Sequence, residues 1–318
     1  MKNLFLGSIV LLLTLPGTAL ASELNLTSTE ACQKGKPECV DLVIEEMERR
    51  YELLAELCDH DALFALTYLR TTETFLETLD EIDYDDPAAV IREDALFAEY
   101  YFRAYDAYHS EESDVPPVWQ IAFDAAQNRS VAGAGNLFLG FNAHIQRDLP
   151  FVLYELYVQG NPISYEDHTR VNQFLQQVDV LDELAQKFDP TIDDTNLPGE
   201  EDDPQQFQLI AQWREAAYLN FERLRDAPTD AERAQVAAEI EGYSAAFAQG
   251  LQLAFTYPPG TDSPARDAYC QQCSQGNHAS VPEPKSGSAL LLLSGIWLLM
   301  NKLKPKIFAS RRSSPSRY

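Results

Sequence analysis

Residues 137–150 read Leu137-Phe-Leu-Gly-Phe-Asn-Ala-His-Ile-Gln-Arg-Asp-Leu-Pro150, and the fold assignment starts from them. At 100° per residue, His144 and Asp148 fall within about 40° of each other on a helix, with Leu137, Phe141, Phe151 and Val152 on or beside the same face. An imidazole and a carboxylate are thus aimed at apolar surroundings. Pro150 has no N–H to give the Gln146 carbonyl, which predicts a kink beside Asp148. Ionisable groups placed there are costly unless they are paired, ligated or used. Asn142 and Arg147 are the nearest hydrogen-bond partners for a purely structural His–Asp pair.

The same 3.6-residue period extends in both directions. It predicts helices over roughly Pro37–Cys58, Asp61–Ile82, Pro87–His109, Pro117–Asn128, Ser130–Gln159, Tyr165–Phe188, Pro204–Asp226 and Asp230–Phe255. Pro87 and Pro117 suit first-turn positions, Ser164 with Asp167 resembles a capping box, and Thr229 precedes an acidic first turn. No run alternates polar and apolar residues, so no sheet is expected. The fold class is all-α, a single-domain bundle of about eight helices over residues 37–260. Residues 22–36 read as an N-terminal loop, 261–280 as a cysteine-containing linker, and the acid-rich 189–203 as a solvated loop.

A second polar group lies on a core face. In Thr67-Tyr-Leu-Arg-Thr-Thr-Glu-Thr-Phe75, Glu73 shares its face with Ala62, Leu66, Leu69 and Leu76. Arg70, three residues earlier, can pair with it. Alternatively Glu73 faces His144 and Asp148 across the bundle, and one imidazole with two carboxylates is a ligand set for a divalent metal: zinc, manganese or iron. His60-Asp61 is a weaker lead, because no histidine precedes His60 to complete an HD-type phosphohydrolase set. His144-Ile-Gln-Arg-Asp148 matches the His-x-x-x-Asp spacing of zinc-dependent phospholipases C, but five histidines in all are too few for a trinuclear site. Nucleophile-elbow, phosphate-loop and dinucleotide motifs are missing from the sequence.

The 318 residues carry 24 Lys and Arg against 50 Asp and Glu, a formal charge of −26, opposite in sign to a nucleic-acid footprint. No nucleic-acid partner is expected. Residues 1–21 and 285–318 contain no acid. Lys2, the apolar run Phe5–Leu15 and Ala19-Leu20-Ala21 form a signal-peptide pattern over residues 1–21. At the other end, Val281-Pro282-Glu283-Pro284 is followed by the apolar stretch Ala289–Met300 and then by Lys302, Lys304, Lys306, Arg311 and Arg312. That order resembles the PEP-CTERM sorting signal of Gram-negative bacteria, although the tail after the apolar stretch is longer than usual. The resemblance implies over 281–318 a marginal membrane anchor, read by an exosortase, and export to the envelope, the cell surface or the exopolysaccharide matrix. The resemblance also implies that the basic end stays cytoplasmic, which agrees with the positive-inside rule.

Cys32, Cys39, Cys58, Cys270 and Cys273 then fall in an oxidising compartment. They cluster at the two ends of the mature chain. The expectation is a disulfide from Cys32 or Cys39 to Cys270 or Cys273, which closes the longest loop, with Cys58 unpaired.

The stretches Tyr68-Leu-Arg-Thr-Thr-Glu73, Pro116-Pro-Val-Trp-Gln-Ile-Ala-Phe123, Leu137–Pro150 and Val171-Asn172 are similar to those of a bacterial helical domain-of-unknown-function family, numbered 5995. The similarity covers roughly Val40–Phe255. It implies a helical fold and a polar focus at Glu73, Asn142, His144, Asp148 and Asn172, but no reaction. Two functions from different classes follow. One is a metal-dependent hydrolase in which Glu73, His144 and Asp148 are ligands and catalytic groups, with Arg70 or Arg147 as the anion contact. The other, preferred, is a non-catalytic surface or matrix protein in which these residues form a buried network.

Overall fold

The computed structural model describes residues 25–110, 114–192, 205–257 and 264–274. The signal-peptide and sorting-signal segments lie outside them. Among the described residues the chain is all-α, with a lone bridge between Val131 and Thr256 as its nearest approach to sheet. The helices are α1 (Glu30–Gln33), α2 (Pro37–Glu56), α3 (Ala62–Thr78), α4 (Pro87–His109), α5 (Pro117–Gln127), α6 (Gly133–Phe141), a π-helical turn (Asn142–Asp148), α7 (Leu149–Val158), α8 (Tyr165–Arg170), α9 (Asn172–Leu175), α10 (Leu181–Lys187), α11 (Gln205–Asp226), α12 (Asp230–Phe255) and α13 (Pro264–Ser274). No helix among the described residues is long and apolar enough to cross a membrane.

Start signals behave as their chemistry requires. Pro87 and Pro117 occupy first-turn positions, Ser164 Oγ accepts from the Asp167 N–H, and Thr229 Oγ1 from the Glu232 N–H. Residues 62–69 of α3 are all buried, so the first half of this helix has no solvent face and runs through the centre of the bundle, whereas Glu77 near its end is exposed. The π turn is the second central element, in contact with α4, α5, α6, α7, α11 and α12. Where α3 crosses α6, Gly140 leaves room for the Phe64 ring; a Cβ there would stand 2.3 Å from Phe64 Cδ2.

Several expectations need correction. Residues 22–36 are not simply a loop, since α1 forms there, capped by Thr29. Residues 261–280 contain α13. The helix expected over Tyr165–Phe188 is broken into α8, α9 and α10, and Asp189 is not solvated: its carboxylate accepts from the N–H groups of Gly133 and Thr191.

The disulfides also differ from the expected staple. Cys32 pairs locally with Cys39, and the two ends of the chain are joined by Cys58–Cys270 across a sequence separation of 212, leaving Cys273 free. Cys58 is thus the bonded cysteine that the spacing argument had set aside. It follows the end of α2 with φ of 50°, a left-handed conformation that glycine usually supplies. Helix α13 is further anchored by the buried Arg266, whose Nη1 donates to Asn136 Oδ1 at 2.9 Å and lies 3.1 Å from His60 Nδ1. His60 Nε2 lies 2.9 Å from Asp267 Oδ1. Burial and the Arg266 charge push the His60 pKa down to about 4, so this ring is neutral.

Candidate functional site

The expected kink at Pro150 takes a specific form. The Leu149 N–H bonds to the His144 carbonyl, five residues back, and the turn over Asn142–Asp148 is wide. An α-helical path would press the Pro150 ring against the Gln146 carbonyl; the π turn moves that carbonyl aside and lets the chain continue as α7.

The widened turn sets the polar groups inward. Asp148 is fully buried, and its oxygens are taken up by three donors: Trp119 Nε1 at 2.8 Å, Arg147 Nη1 at 2.8 Å and His144 Nδ1 at 3.3 Å. An ionised carboxylate only accepts, so the imidazole proton sits on Nδ1 and Nε2 is the lone-pair nitrogen. His144 Nε2 is buried and has no hydrogen-bond partner among the described residues. The ring stacks on Phe97 with centroids 3.4 Å apart and 5° between planes, and Tyr68, Phe64, Trp119 and Tyr101 complete the enclosure. Burial lowers the His144 pKa against the pull of Asp148, so the imidazole is neutral near pH 7.

Arg147 links this core pair to the surface, with Nε and Nη2 both on Glu241 Oε1 at 2.9 and 2.6 Å and its guanidinium 4.9 Å from the centre of the Phe151 ring. Asn142, fully buried, donates to the Ser244 carbonyl on α12 and accepts from Gln146. His144, Arg147 and Asp148 are thus joined through the Asp148 carboxylate, while Asn142, on the same π turn, bonds separately to Ser244 and Gln146.

Glu73, Arg70 and Asn172 belong elsewhere. Glu73 accepts from Arg70 Nη1 at 2.6 Å, and Arg70 also grips Glu183 on α10 with Nε and Nη2 at 2.7 and 2.9 Å. Those bonds hold the Glu183 carboxyl down at about 2. The local i, i+3 pair thus replaces the cross-bundle contact. The expected set of Glu73, His144 and Asp148 does not assemble, and among the described residues no group of three His, Cys, Asp or Glu side chains is placed to hold a metal ion. Asn172 instead accepts from Arg214 Nε at 3.1 Å, and Arg214 Nη2 donates to the His168 carbonyl.

Several participants escaped sequence reading. Trp119, in Pro116-Pro-Val-Trp119, supplies the indole N–H that anchors Asp148. Glu93 and Asp94 on α4 precede Phe97 by one turn, and each carries a buried oxygen without a partner among the described residues, as do Tyr68 and Tyr84. Burial raises Glu93 to about 7; burial and then the Glu93 charge raise Asp94 to about 8. Two adjacent acids set between the apolar runs Ala88–Ile91 and Ala95–Ala98, beside Arg92, were the available signal. Chemically, the His144–Asp148 pair is a neutral imidazole oriented by a carboxylate, half of an acid/base arrangement.

The sequence profile of a family of unknown function, DUF5995, matches residues 40–253, from the first turn of α2 to the last turn of α12. The chain belongs to that family. No curated protein and no solved structure matches it. The matched span includes the π turn and its neighbours, whereas Cys32–Cys39 and α13 lie outside it, so both disulfides involve residues beyond the family domain.

Proposed function

We propose that this chain is an exported, envelope-associated helical protein, sorted through its C-terminal segment by an exosortase-type enzyme, and that its central polar network specifies the fold instead of catalysing a reaction. The observation that carries the non-catalytic reading is that every oxygen of Asp148 is engaged by protein donors while His144 is boxed in by aromatic rings and 4% exposed. Groups enclosed in this way act on packing. Two disulfides support export, because such bonds persist in oxidising compartments. The exopolysaccharide matrix is the partner that the C-terminal pattern suggests.

Replacement of Asp148 by Asn tests the network. It should lower stability by about 1–3 kcal/mol, because the Arg147 and Trp119 donors lose a charged acceptor, and should leave the metal content of the purified protein unchanged. A stoichiometric metal in the wild type that is lost in the variant would refute the reading. For export, intact-mass analysis of envelope-derived protein should find Met1–Ala21 removed; cytoplasmic protein retaining those residues would refute it.

A further inference from the structure

Beyond that reading, a cleft away from the central network offers recognition chemistry. It opens between α1, the middle of α4 and the end of α7, with a volume of about 170 Å³. This is below the ~300 Å³ at which drug-sized sites begin, so its ligand is small. Arg92 lines it. The Arg92 side chain is only 16% exposed; among the described residues its Nε is buried without a hydrogen-bond partner and out of a ligand's reach, and its ion pair is a loose 3.8 Å approach of Nη2 to the exposed Asp86, so the terminal Nη groups are what a ligand can meet. A largely desolvated guanidinium with unmade bonds favours an anion.

Two carboxylates that bond to lining residues are already engaged. Glu99 accepts from the Thr27 N–H and is paired with Arg103, and Glu155 accepts from Tyr100 Oη and Gln159 Nε2. Around Arg92 stand three amides, Gln33, Gln159 and Asn161. Each donates its NH₂ group to a protein oxygen: Ser28 O, Glu155 Oε1 and Gln159 O respectively. The amide oxygens remain as acceptors for hydroxyl groups. Leu96 and Leu156 supply an apolar wall that suits a carbon skeleton.

We propose that this cleft binds a compact hydroxy-carboxylate, its carboxylate on Arg92 and its hydroxyls on Gln33, Gln159 and Asn161. A single guanidinium fork matches one planar monoanion; a phosphate dianion in a chain of charge −26 would call for more than one cation. The amides separate a hydroxylated acid from a plain one.

Calorimetric titration of the oxidised full-length protein tests the proposal, with D-gluconate as the probe and D-glucose, propionate and inorganic phosphate as comparisons. Gluconate should bind more tightly than all three. Arg92→Met should weaken it by roughly tenfold or more, the loss expected for a charged hydrogen-bond partner. Gln159→Ala, at an exposed position, should weaken gluconate but not propionate. If Arg92→Met does not fold, Arg92→Lys replaces it, since an ammonium keeps the charge and loses the fork, and gluconate should again weaken. The proposal is overturned if gluconate shows no binding at roughly 10 mM, the weak end for one ion pair with hydrogen bonds. It is equally overturned if glucose or phosphate binds as tightly as gluconate, or if the arginine variant and Gln159→Ala leave gluconate binding unchanged.

Discussion

Replacing Glu93 by Gln should stabilise this protein in mild alkali and leave it nearly unchanged in acid. Glu93 is 4% exposed, one of its oxygens has no partner, and burial raises its pKa from 4.5 to about 7 against a smaller opposing pull from Arg214. A carboxyl whose folded pKa lies above its unfolded value binds its proton more tightly when folded. Its contribution is fully present below pH 4.5 and is lost as the pH rises through about 7. At 1.36 kcal/mol per unit, the gap corresponds to about 3 kcal/mol of lost stability by pH 8.5. Glutamine has nearly the same size and no charge, so whatever the amide costs in the core is common to both pH values and cancels in the difference. Urea denaturation followed by circular dichroism, with disulfides intact, at pH 5 and pH 8.5 gives the four free energies needed. The variant should gain about 2–3 kcal/mol on the wild type between the two conditions. The adjacent Asp94 adds to the gain, because its own elevation to about 8 owes part to the Glu93 charge. A difference between variant and wild type that is the same at pH 5 and pH 8.5 would refute the reasoning, and would mean that the Glu93 carboxyl does not change its charge in the folded protein between those conditions.

Two further outcomes are expected. Cys58→Ser should cost far more stability than Cys273→Ser, because closure of a loop with a separation of 212 is worth about 5 kcal/mol in chain entropy and the free thiol closes nothing; non-reducing peptide mapping should recover Cys58 joined to Cys270, and a Cys270–Cys273 peptide would contradict it. Gly140→Ala should lower stability by about 1–3 kcal/mol in a thermal or urea melt, since the added Cβ meets the Phe64 ring, which Tyr101 and Trp119 hold in place; an unchanged melt would show that the ring can yield.

Sequence alone determined what is local. Helix positions follow from the 3.6-residue period and from caps that act within three or four residues, which is why Pro87, Pro117, Ser164 and Thr229 all stand where their chemistry predicts. The His144–Asp148 pairing was legible for the same reason, because four residues bring both side chains to one helix face. Tertiary structure decided everything that depends on which faces meet. The Arg70–Glu73 pair could be read from spacing as one option; that Arg70 is also clamped by Glu183 on α10, holding Glu73 out of any shared site, could not. Likewise the indole of Trp119 reaches Asp148 from another helix, and Cys58 meets Cys270 because the reversal after α2 and the packing of α13 set two Cα atoms 5.9 Å apart. Even the π turn has this double origin: Pro150 forbids an ordinary α turn, but the four helices packed against it, α4, α5, α11 and α12, decide that the helix widens and continues instead of bending away. A periodic pattern fixes the direction of a side chain relative to its own helix axis, and only the packing of one axis against another fixes what that side chain touches.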